Sequence, residues 1–335
     1  MSKSTRISYV IMAAALVLIG WLHLGVLVLT TLFGYFALQK FSLGRSKYLG
    51  VAIYLVTVTA MGFVMVYFSR VAYVTLPEIA EKTIPAIVGY AEKKGVELPF
   101  TDFASLKAMA MSEAKEGIAE LGRHLRNAVM DFAQLLIGLV AAVSLFLNAR
   151  WGAEHDPQTA RDSLYAVVVR ELSLRGLTFY RSFARVIGAQ IIISIINTAL
   201  TSVFLIWNGF AYATVLIVAT FLCGLLPIIG NIISNTLIVG VAFALPEEGP
   251  RMALLALIFL VVIHKLEYFL NSKIIGDRIK NPMWLTLIAI VLGERLMGIS
   301  GMILAPVVLH YIKVEASRNK SSEALNDLPN GSDPA

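Results

Sequence analysis

Residues 48–68 read YLGVAIYLVTVTAMGFVMVYF, a stretch without one charged side chain. A helix of about 20 apolar residues spans the roughly 30 Å of bilayer hydrocarbon, so this stretch predicts a transmembrane helix. The whole chain agrees, because 58% of its 335 residues are hydrophobic and only 15% are charged, against about 25% charged residues in soluble domains. The composition excludes a water-soluble, disordered or collagen-like chain and predicts an all-α polytopic membrane protein.

Three further stretches have the length and apolarity of a span, namely 128–147, 186–207 and 252–270. The N-terminal run 7–39 would be about 50 Å long as one helix, too long for a single crossing. Its middle, Gly20-Trp21-Leu22-His23, suits a tight turn. We therefore predict a helical hairpin there, and no signal peptide, since no small-residue cleavage site ends a short apolar core.

Two later apolar runs are interrupted. Run 210–245 breaks at Pro227-Ile228-Ile229-Gly230-Asn231, where proline removes a helix hydrogen bond and glycine loosens the backbone. Run 283–312 breaks at Gly293-Glu294-Arg295, leaving arms of roughly 10 and 17 residues that are short for spans. The second run therefore predicts a re-entrant hairpin rather than two crossings.

Basic loop residues set the predicted topology, because lysine and arginine prefer the cytoplasmic side. Both termini are then cytoplasmic, and the net charge of +6 reflects loop placement rather than nucleic-acid binding. The predicted parts are 1–70, an N-terminal membrane hairpin and third span; 71–127, an extracytoplasmic helical insert; 128–185, a span and a cytoplasmic amphipathic helix; 186–314, a C-terminal membrane core with two broken hairpins; and 315–335, a disordered tail.

The two extramembrane segments have helical periodicity. Segment 71–127 predicts two or three amphipathic helices, separated near Pro85 and near 95–99, and serves either as a cap or as a binding module. Segment 153–185 is rich in arginine, with a helix start at Asp156-Pro157. It predicts either a helix in the headgroup layer or a moving gate.

Enzyme motifs are absent from the sequence. It contains no glycine-rich phosphate loop ending in Gly-Lys-Ser/Thr, no His-Glu-x-x-His zinc motif and no Gly-x-Ser-x-Gly nucleophile turn. The single cysteine, Cys223, allows neither an intrachain disulfide nor a metal-ligand cluster. We expect no enzymatic activity, no cofactor, no metal and no nucleic-acid partner.

Polar residues within the apolar stretches are the functional candidates, because such groups are costly in hydrocarbon and usually face protein or water. They are Gln190, Asn197, Asn231, Asn235, His264, Lys265, Glu267, Asn271, Glu294 and Arg295. We assign the transport pathway to Pro227, Gly230, Asn231, Asn235, Glu294 and Arg295. Glu294 is the first coupling candidate, followed by Glu267 and His264.

Structural alternatives stay open for these charged groups. His264 and Glu267 lie in the second half of their stretch, where side chains can snorkel to the interface. Glu294 and Arg295 can neutralise each other. Gly298 and Gly301 are about one turn apart and predict a face for close helix approach, so that Gly301→Leu should impair assembly.

Three motifs resemble those of a known family. Stretch 221–231, FLCGLLPIIGN, is similar to a Pro-x-x-Gly-Pro core, and stretch 271–282 to a Pro-Lys-x-x-Gly segment that ends in proline. Stretch 298–306, GISGMILAP, resembles a closing Phe-Gly-x-x-Gly-x-x-x-Ala-x-Pro element, which adds Pro306 to the packing candidates. The family is that of the autoinducer-2 exporters (AI-2E, or PerM-like permeases). Asn231 and Asn271 replace family prolines, and Leu296-Met297 replaces a Leu-Phe pair.

The resemblance implies a secondary transporter or efflux permease for a small solute or signal of the autoinducer-2 type, in the bacterial cytoplasmic membrane. It also implies a homo-oligomer, specifically a pentamer. Ion coupling and cation/proton antiport stay open, as do a non-transporting membrane scaffold and a passive channel. Two interrupted stretches that enter from opposite faces favour a transport pathway, since transporters build sites from such half-helices.

Overall fold

The computed structural model describes residues 3–42, 46–96, 102, 104–105, 108, 117–148, 164–226, 229–245, 249–275 and 282–326. Within these ranges the chain forms helices and no strand, which confirms the predicted all-α class. The helices are α1 (Lys3–Trp21), α2 (Gly25–Ser42), α3 (Lys47–Lys93), α4 (Gly117–Asn148), α5 (Leu164–Trp207), α6 (Ala213–Gly224), α7 (Ile229–Phe243), α8 (Gly249–Ile275), α9 (Met283–Met297) and α10 (Ile299–Asn326).

Seven segments among the described residues are long and apolar enough to cross a membrane. They are Lys3–Trp21, Gly25–Ser42, Lys47–Lys93, Arg126–Asn148, Leu164–Trp207, Gly249–Glu267 and Ile299–Ser317. The stretches 48–68, 128–147 and 186–207 each lie inside one of these segments, and the fourth predicted span lies within α8. The tight turn between α1 and α2 is confirmed, with His23 at a φ of 51°.

Apolar side chains point outward, as expected when the solvent is lipid rather than water. Val56, Phe63 and Val262 expose 70%, 73% and 60% of their surface. Asn197 and Glu267, in contrast, are buried. This distribution is the one that hydrocarbon imposes, because polar groups there must face protein or a water-filled cavity.

The chain divides into two compact units, and α3, α4 and α5 contribute residues to both. The first unit comprises 1–50, 134–188 and 275–335. Two edge-to-face aromatic pairs pack α2 against α5. Their ring centroids are 5.1 Å apart for Phe33 and Phe183, and 4.8 Å apart for Tyr35 and Tyr180. Gln134 of α4 accepts a hydrogen bond from the Leu27 N–H and donates one to the His23 carbonyl, so it satisfies backbone groups at the start of α2 that lack helical partners.

The second unit comprises 51–133 and 189–274. The hairpin of α6 and α7 packs on the C-terminal part of α5 and on α8 through an apolar core. Phe204 and Phe259 are partly buried against this core and stack in parallel, with ring centroids 4.2 Å apart. The buried members of this core are Ile79, Leu205, Phe210, Leu216, Ile238, Val241, Ala242, Ala253, Ala256 and Leu260.

Two predicted helix boundaries were wrong. Helix α3 continues through Pro77 and Pro85 to Lys93, so no break separates helices at Pro85; the predicted turn does follow, at Lys94 and Gly95. Residues 164–185 do not form a separate helix, because they are the first half of the continuous α5. Their role in the headgroup layer or as a moving gate stays a prediction. The predicted helix starts at Thr101 and at Asp156-Pro157 lie outside the described residues.

The second interrupted run breaks elsewhere than predicted. Helix α9 passes through Gly293, Glu294 and Arg295 and ends at Met297, and the turn forms at Gly298. The following helix is 28 residues long, and its part Ile299–Ser317 has the length and apolarity of a crossing. The same helix reaches Asn326, so the first part of the predicted disordered tail is helical, as its alanine, glutamate and leucine residues favour.

Candidate transport site

At the break between α6 and α7, the backbone of the first turn of α7 lies very close to the backbone of the last turn of α6. A Cβ atom on Gly230, in the first turn of α7, would collide with the carbonyl group of Cys223 in the last turn of α6. Glycine is therefore required for the two helix ends to approach each other at this point. Gly230 and Asn231 both lie at this break, as predicted, whereas Pro227 lies outside the described residues.

A polar stripe on α5 faces the end of α6. Gln190, Ser194, Asn197 and Thr201 follow one another at intervals of four, three and four residues, which places them on one side of the helix. The Gln190 Nε2 donates to the Gly224 carbonyl at 2.6 Å, and the Ser194 Oγ donates to the Phe221 carbonyl at 2.9 Å. Gln190 and Ser194 therefore donate hydrogen bonds to carbonyl groups in the last turn of α6. Such carbonyl groups lack partners within their own helix, and lipid cannot supply them.

The same stripe reaches a buried carboxylate. Glu267 of α8 is 9% exposed, and its Oε2 accepts hydrogen bonds from Asn231 Nδ2 at 2.7 Å and from Asn197 Nδ2 at 3.2 Å. One carboxylate thus joins side chains of α5, α7 and α8. Two amide donors thus satisfy one carboxylate oxygen, and hydrogen bonds to an ionised acceptor are about twice as strong as neutral ones.

A histidine and a free carbonyl oxygen complete this carboxylate–amide cluster of Asn197, Asn231, His264 and Glu267. The His264 Nδ1 lies 3.7 Å from the same Glu267 oxygen, and its side chain is 65% exposed. The buried Oδ1 of Asn197 has no hydrogen-bond partner in the described part of the structure. Carboxylate and amide oxygens are suitable ligands for a proton or a hard cation.

The remaining predicted site residues lie apart from this cluster. Asn235 is half-buried one turn beyond Asn231, and Pro306 lies inside α10. Glu294 and Arg295 are exposed in the last turn of α9, which belongs to the first unit, rather than at a hairpin tip. That the two interrupted stretches meet in the membrane therefore stays a prediction.

The glycines of the α9–α10 hairpin differ in role. Gly298 has a φ of 61°, and a Cβ atom added to it would have nothing within 4 Å, so this residue forms the turn and does not pack against a helix. Gly301 packs against Gly293, and a Cβ atom on either residue would collide with the carbonyl of the other. The predicted packing face of Gly298 and Gly301 is thus corrected to a contact between Gly293 and Gly301.

Sequence reasoning missed Ser194 and Thr201 as members of the stripe, and it did not connect Asn197 with Asn231. The sequence nevertheless contained a signal for this stripe. Four polar residues recur at helical spacing within an apolar stretch, and this pattern indicates one protein-facing side of a membrane helix. The pairing with Glu267 had no local signal, because 70 and 36 residues separate it from its two partners.

No group of three or more histidine, cysteine, aspartate or glutamate residues suited to a metal ion occurs among the described residues. The cluster can hold a carboxylate-bound proton or a cation that keeps part of its water shell. It has no nucleophile–base pair within the part of the structure described here.

Comparison with known proteins places the chain in a family. Residues 6–317 match the family described as AI-2E family transporter. The chain is 26% identical over 221 residues to a Bacillus subtilis (strain 168) protein named "Putative transport protein YdbI"; the match covers 65% of the chain and 62% of that protein's length. No solved structure matches the chain significantly. The chain is a multi-pass membrane protein that belongs to the AI-2E transporter family.

Proposed function

We propose that the chain is a secondary transporter that moves a small solute across the bacterial cytoplasmic membrane, with Glu267 as its ion-coupling carboxylate. The observation on which this depends is the burial of Glu267 between amide donors of α5 and α7. A carboxylate inside a membrane segment is expensive, so its presence there favours a functional role.

The hydrogen bonds suggest how ion binding acts on the hairpin. Asn231 lies in the first turn of α7, directly after the break, and is the closest donor to Glu267 at 2.7 Å. A proton or cation that binds the carboxylate competes with this donor. Loading and unloading of Glu267 would thereby release and restrain the start of α7, which carries the pathway residue Asn231.

Two features bear on the ion and the solute. The unpartnered Asn197 Oδ1 offers an oxygen ligand beside the carboxylate, which favours cation/proton antiport as the second candidate function. The solute class comes only from the resemblance to the autoinducer-2 exporters, since the matched family is described as AI-2E family transporter, and efflux of such a signal is part of this proposal.

Flux measurements test the proposal. The purified full chain is reconstituted in liposomes that contain a pH-sensitive dye, and proton flux is followed in sodium gradients, potassium gradients and in the presence of candidate solutes. Glu267→Gln, which keeps the size of the side chain and removes its charge, should reduce ion-linked flux to the level of empty liposomes. Glu294→Gln is the matched control, since this second carboxylate is exposed, and should retain flux.

Other results assign other functions. Loss of flux in Glu294→Gln with normal flux in Glu267→Gln would move coupling to α9. Conductance that is unchanged by gradients would indicate a passive channel. Absence of flux in the wild-type chain under every gradient and solute would favour a membrane scaffold.

A further inference from the structure

A cavity of about 300 Å³ opens in the first unit, between the N-terminal half of α5 and the middle of α10. Its size is at the lower end of the range of about 300–1,000 Å³ for small-ligand sites. The charged and polar lining residues are Thr178, Arg181, Ser182, Arg185 and His310, and the described lining contains no carboxylate. The cavity is therefore chemically matched to an anion.

His310 gives independent evidence for a missing ligand. Its side chain is 4% exposed, and neither ring nitrogen has a hydrogen-bond partner among the described residues. A buried imidazole without partners loses the hydrogen bonds that it makes in water, which carries a desolvation cost. A ligand oxygen in the cavity would remove that cost.

The two arginines face this cavity from one side of α5. Arg181 and Arg185 are four residues apart and therefore lie one above the other on the helix. Guanidinium groups bind phosphate through paired N–H donors, more strongly than neutral donors do. The hydroxyl group of Ser182, on the same helix, is suited to a further phosphate oxygen, whereas the Thr178 hydroxyl already donates to the Leu174 carbonyl at 2.9 Å.

The position of the cavity along the chain indicates where the anion lies. Arg185 directly precedes the predicted span 186–207, and Lys313 follows His310 by three residues near the end of Ile299–Ser317. Charged residues at the ends of apolar stretches lie at headgroup depth. The cavity also has an apolar part formed by Leu174, Leu177 and Val314, which suits the glycerol region of a lipid.

We infer that this cavity binds the phosphate group of an anionic phosphoester, held by Arg181, Arg185 and His310. A phospholipid headgroup and a free phosphate share this chemistry. The site lies in the first unit, whereas Glu267 lies in the second, so it is a binding site in addition to the proposed coupling site.

Native mass spectrometry of the full chain tests the inference. The protein is purified in detergent and titrated with phosphatidylglycerol, with phosphatidylcholine as the lipid without net charge, and separately with inorganic phosphate. The wild-type chain should retain phosphatidylglycerol, and phosphatidylcholine should bind at least about tenfold more weakly, since it lacks net charge. Displacement of the lipid by inorganic phosphate at millimolar concentration would support the same site with a free phosphate as its source.

Three variants locate the site. The double variant Arg181→Gln with Arg185→Gln should weaken binding about tenfold or more, as expected for the loss of charge-assisted hydrogen bonds. His310→Phe, which keeps a planar ring and removes both ring nitrogens, should weaken it several-fold. Arg170→Gln, an exposed arginine of α5 outside the cavity lining, is the control and should leave binding unchanged.

The proposal is overturned by either of two results. One is equal binding of phosphatidylglycerol to the wild type and the double variant. The other is an equal loss of binding in Arg170→Gln, which would indicate attraction by the overall charge. Gel filtration and thermal unfolding of each variant verify that the fold is intact, and because both arginines are exposed, their neutral replacements should keep it.

Discussion

At the residue scale, hydrogen bonding explains how a glutamate is accommodated among apolar helices. Glu267 has two amide donors on one carboxylate oxygen, and these come from two other helices. Without them a buried carboxylate would require a shift to its neutral form or exposure to water. The stability of this part of the protein is therefore coupled to the groups that surround the proposed ion site.

The shorter of the two bonds should contribute measurably to stability. We expect Asn231→Ala to lower the free energy of unfolding by about 1.5–3 kcal/mol, the contribution of a hydrogen bond to a charged group. Asn235→Ala is the control, because Asn235 is half-buried on the same helix and the structure shows no bond from it to Glu267. Unfolding in mixed micelles monitored by circular dichroism measures both; equal losses would contradict the assigned role of Asn231.

At the element scale, side chains of one helix donate hydrogen bonds to the unpaired carbonyl groups at the end of another. Gln190 donates to the carbonyl of Gly224, which ends α6 and is buried. The energetic cost of breaking a membrane helix is thus offset by polar residues of α5. Interrupted helices persist at membrane depth only under such a condition.

Removal of this donor should destabilise the hairpin of α6 and α7. We expect Gln190→Leu, which has a similar volume, to cost about 1–3 kcal/mol, because it leaves a buried carbonyl without a partner. Thr198→Val is the matched control on the same helix, since the buried Thr198 hydroxyl has no hydrogen-bond partner in the described structure. It should be neutral or slightly stabilising. Denaturation curves that rank the two variants in the opposite order would refute the capping role of Gln190.

The α9–α10 hairpin depends on two glycines. We expect Gly301→Ala to destabilise the protein by about 1–3 kcal/mol, the usual cost of overpacking, because its new methyl group meets the Gly293 carbonyl. In contrast, the new methyl group of Gly188→Ala would have nothing within 4 Å, so this variant should be neutral or stabilising by about 0.5–1 kcal/mol, since alanine favours helix. Thermal unfolding in detergent distinguishes the two; a tolerated Gly301→Ala would argue against the close contact.

At the scale of the whole molecule, the apolar surface and the basic loop ends predict orientation. Lys94 lies in the turn that ends α3, beyond the predicted third span, whereas Ser4 lies at the start of α1. The distribution of lysine and arginine predicts that the first position is outside the cell and the second inside.

Single cysteines test this orientation in a chain whose only native cysteine is replaced as Cys223→Ser. In intact cells, Lys94→Cys should react with a membrane-impermeant maleimide, and Ser4→Cys should react only after the membrane is permeabilised. Labelling of both positions from the same side would contradict the predicted crossing by residues 48–68. Full labelling of each variant after denaturation is the control.

Local patterns sufficed to predict much of the fold. Apolar length and charge placement predicted the membrane class and the four main spans, and Gly20–His23 and Gly230 marked turns or breaks that the structure contains. These features depend on neighbouring residues only. Where a local rule failed, as at Pro85 and Gly293, a continuous helix formed because surrounding helix-forming residues outweighed a single breaker.

Residue composition and helical periodicity along the chain determined that this protein is embedded in a membrane. They also determined which polar residues lie in apolar stretches, where their burial in hydrocarbon costs free energy. Only the tertiary structure decided which of those residues meet. Asn197, Asn231 and Glu267 lie on three different helices, and Gly301 contacts Gly293 through a turn whose position the sequence misplaced. Such contacts depend on how the helices pack in three dimensions. The residue pattern of one helix does not specify how that helix is aligned with its neighbour.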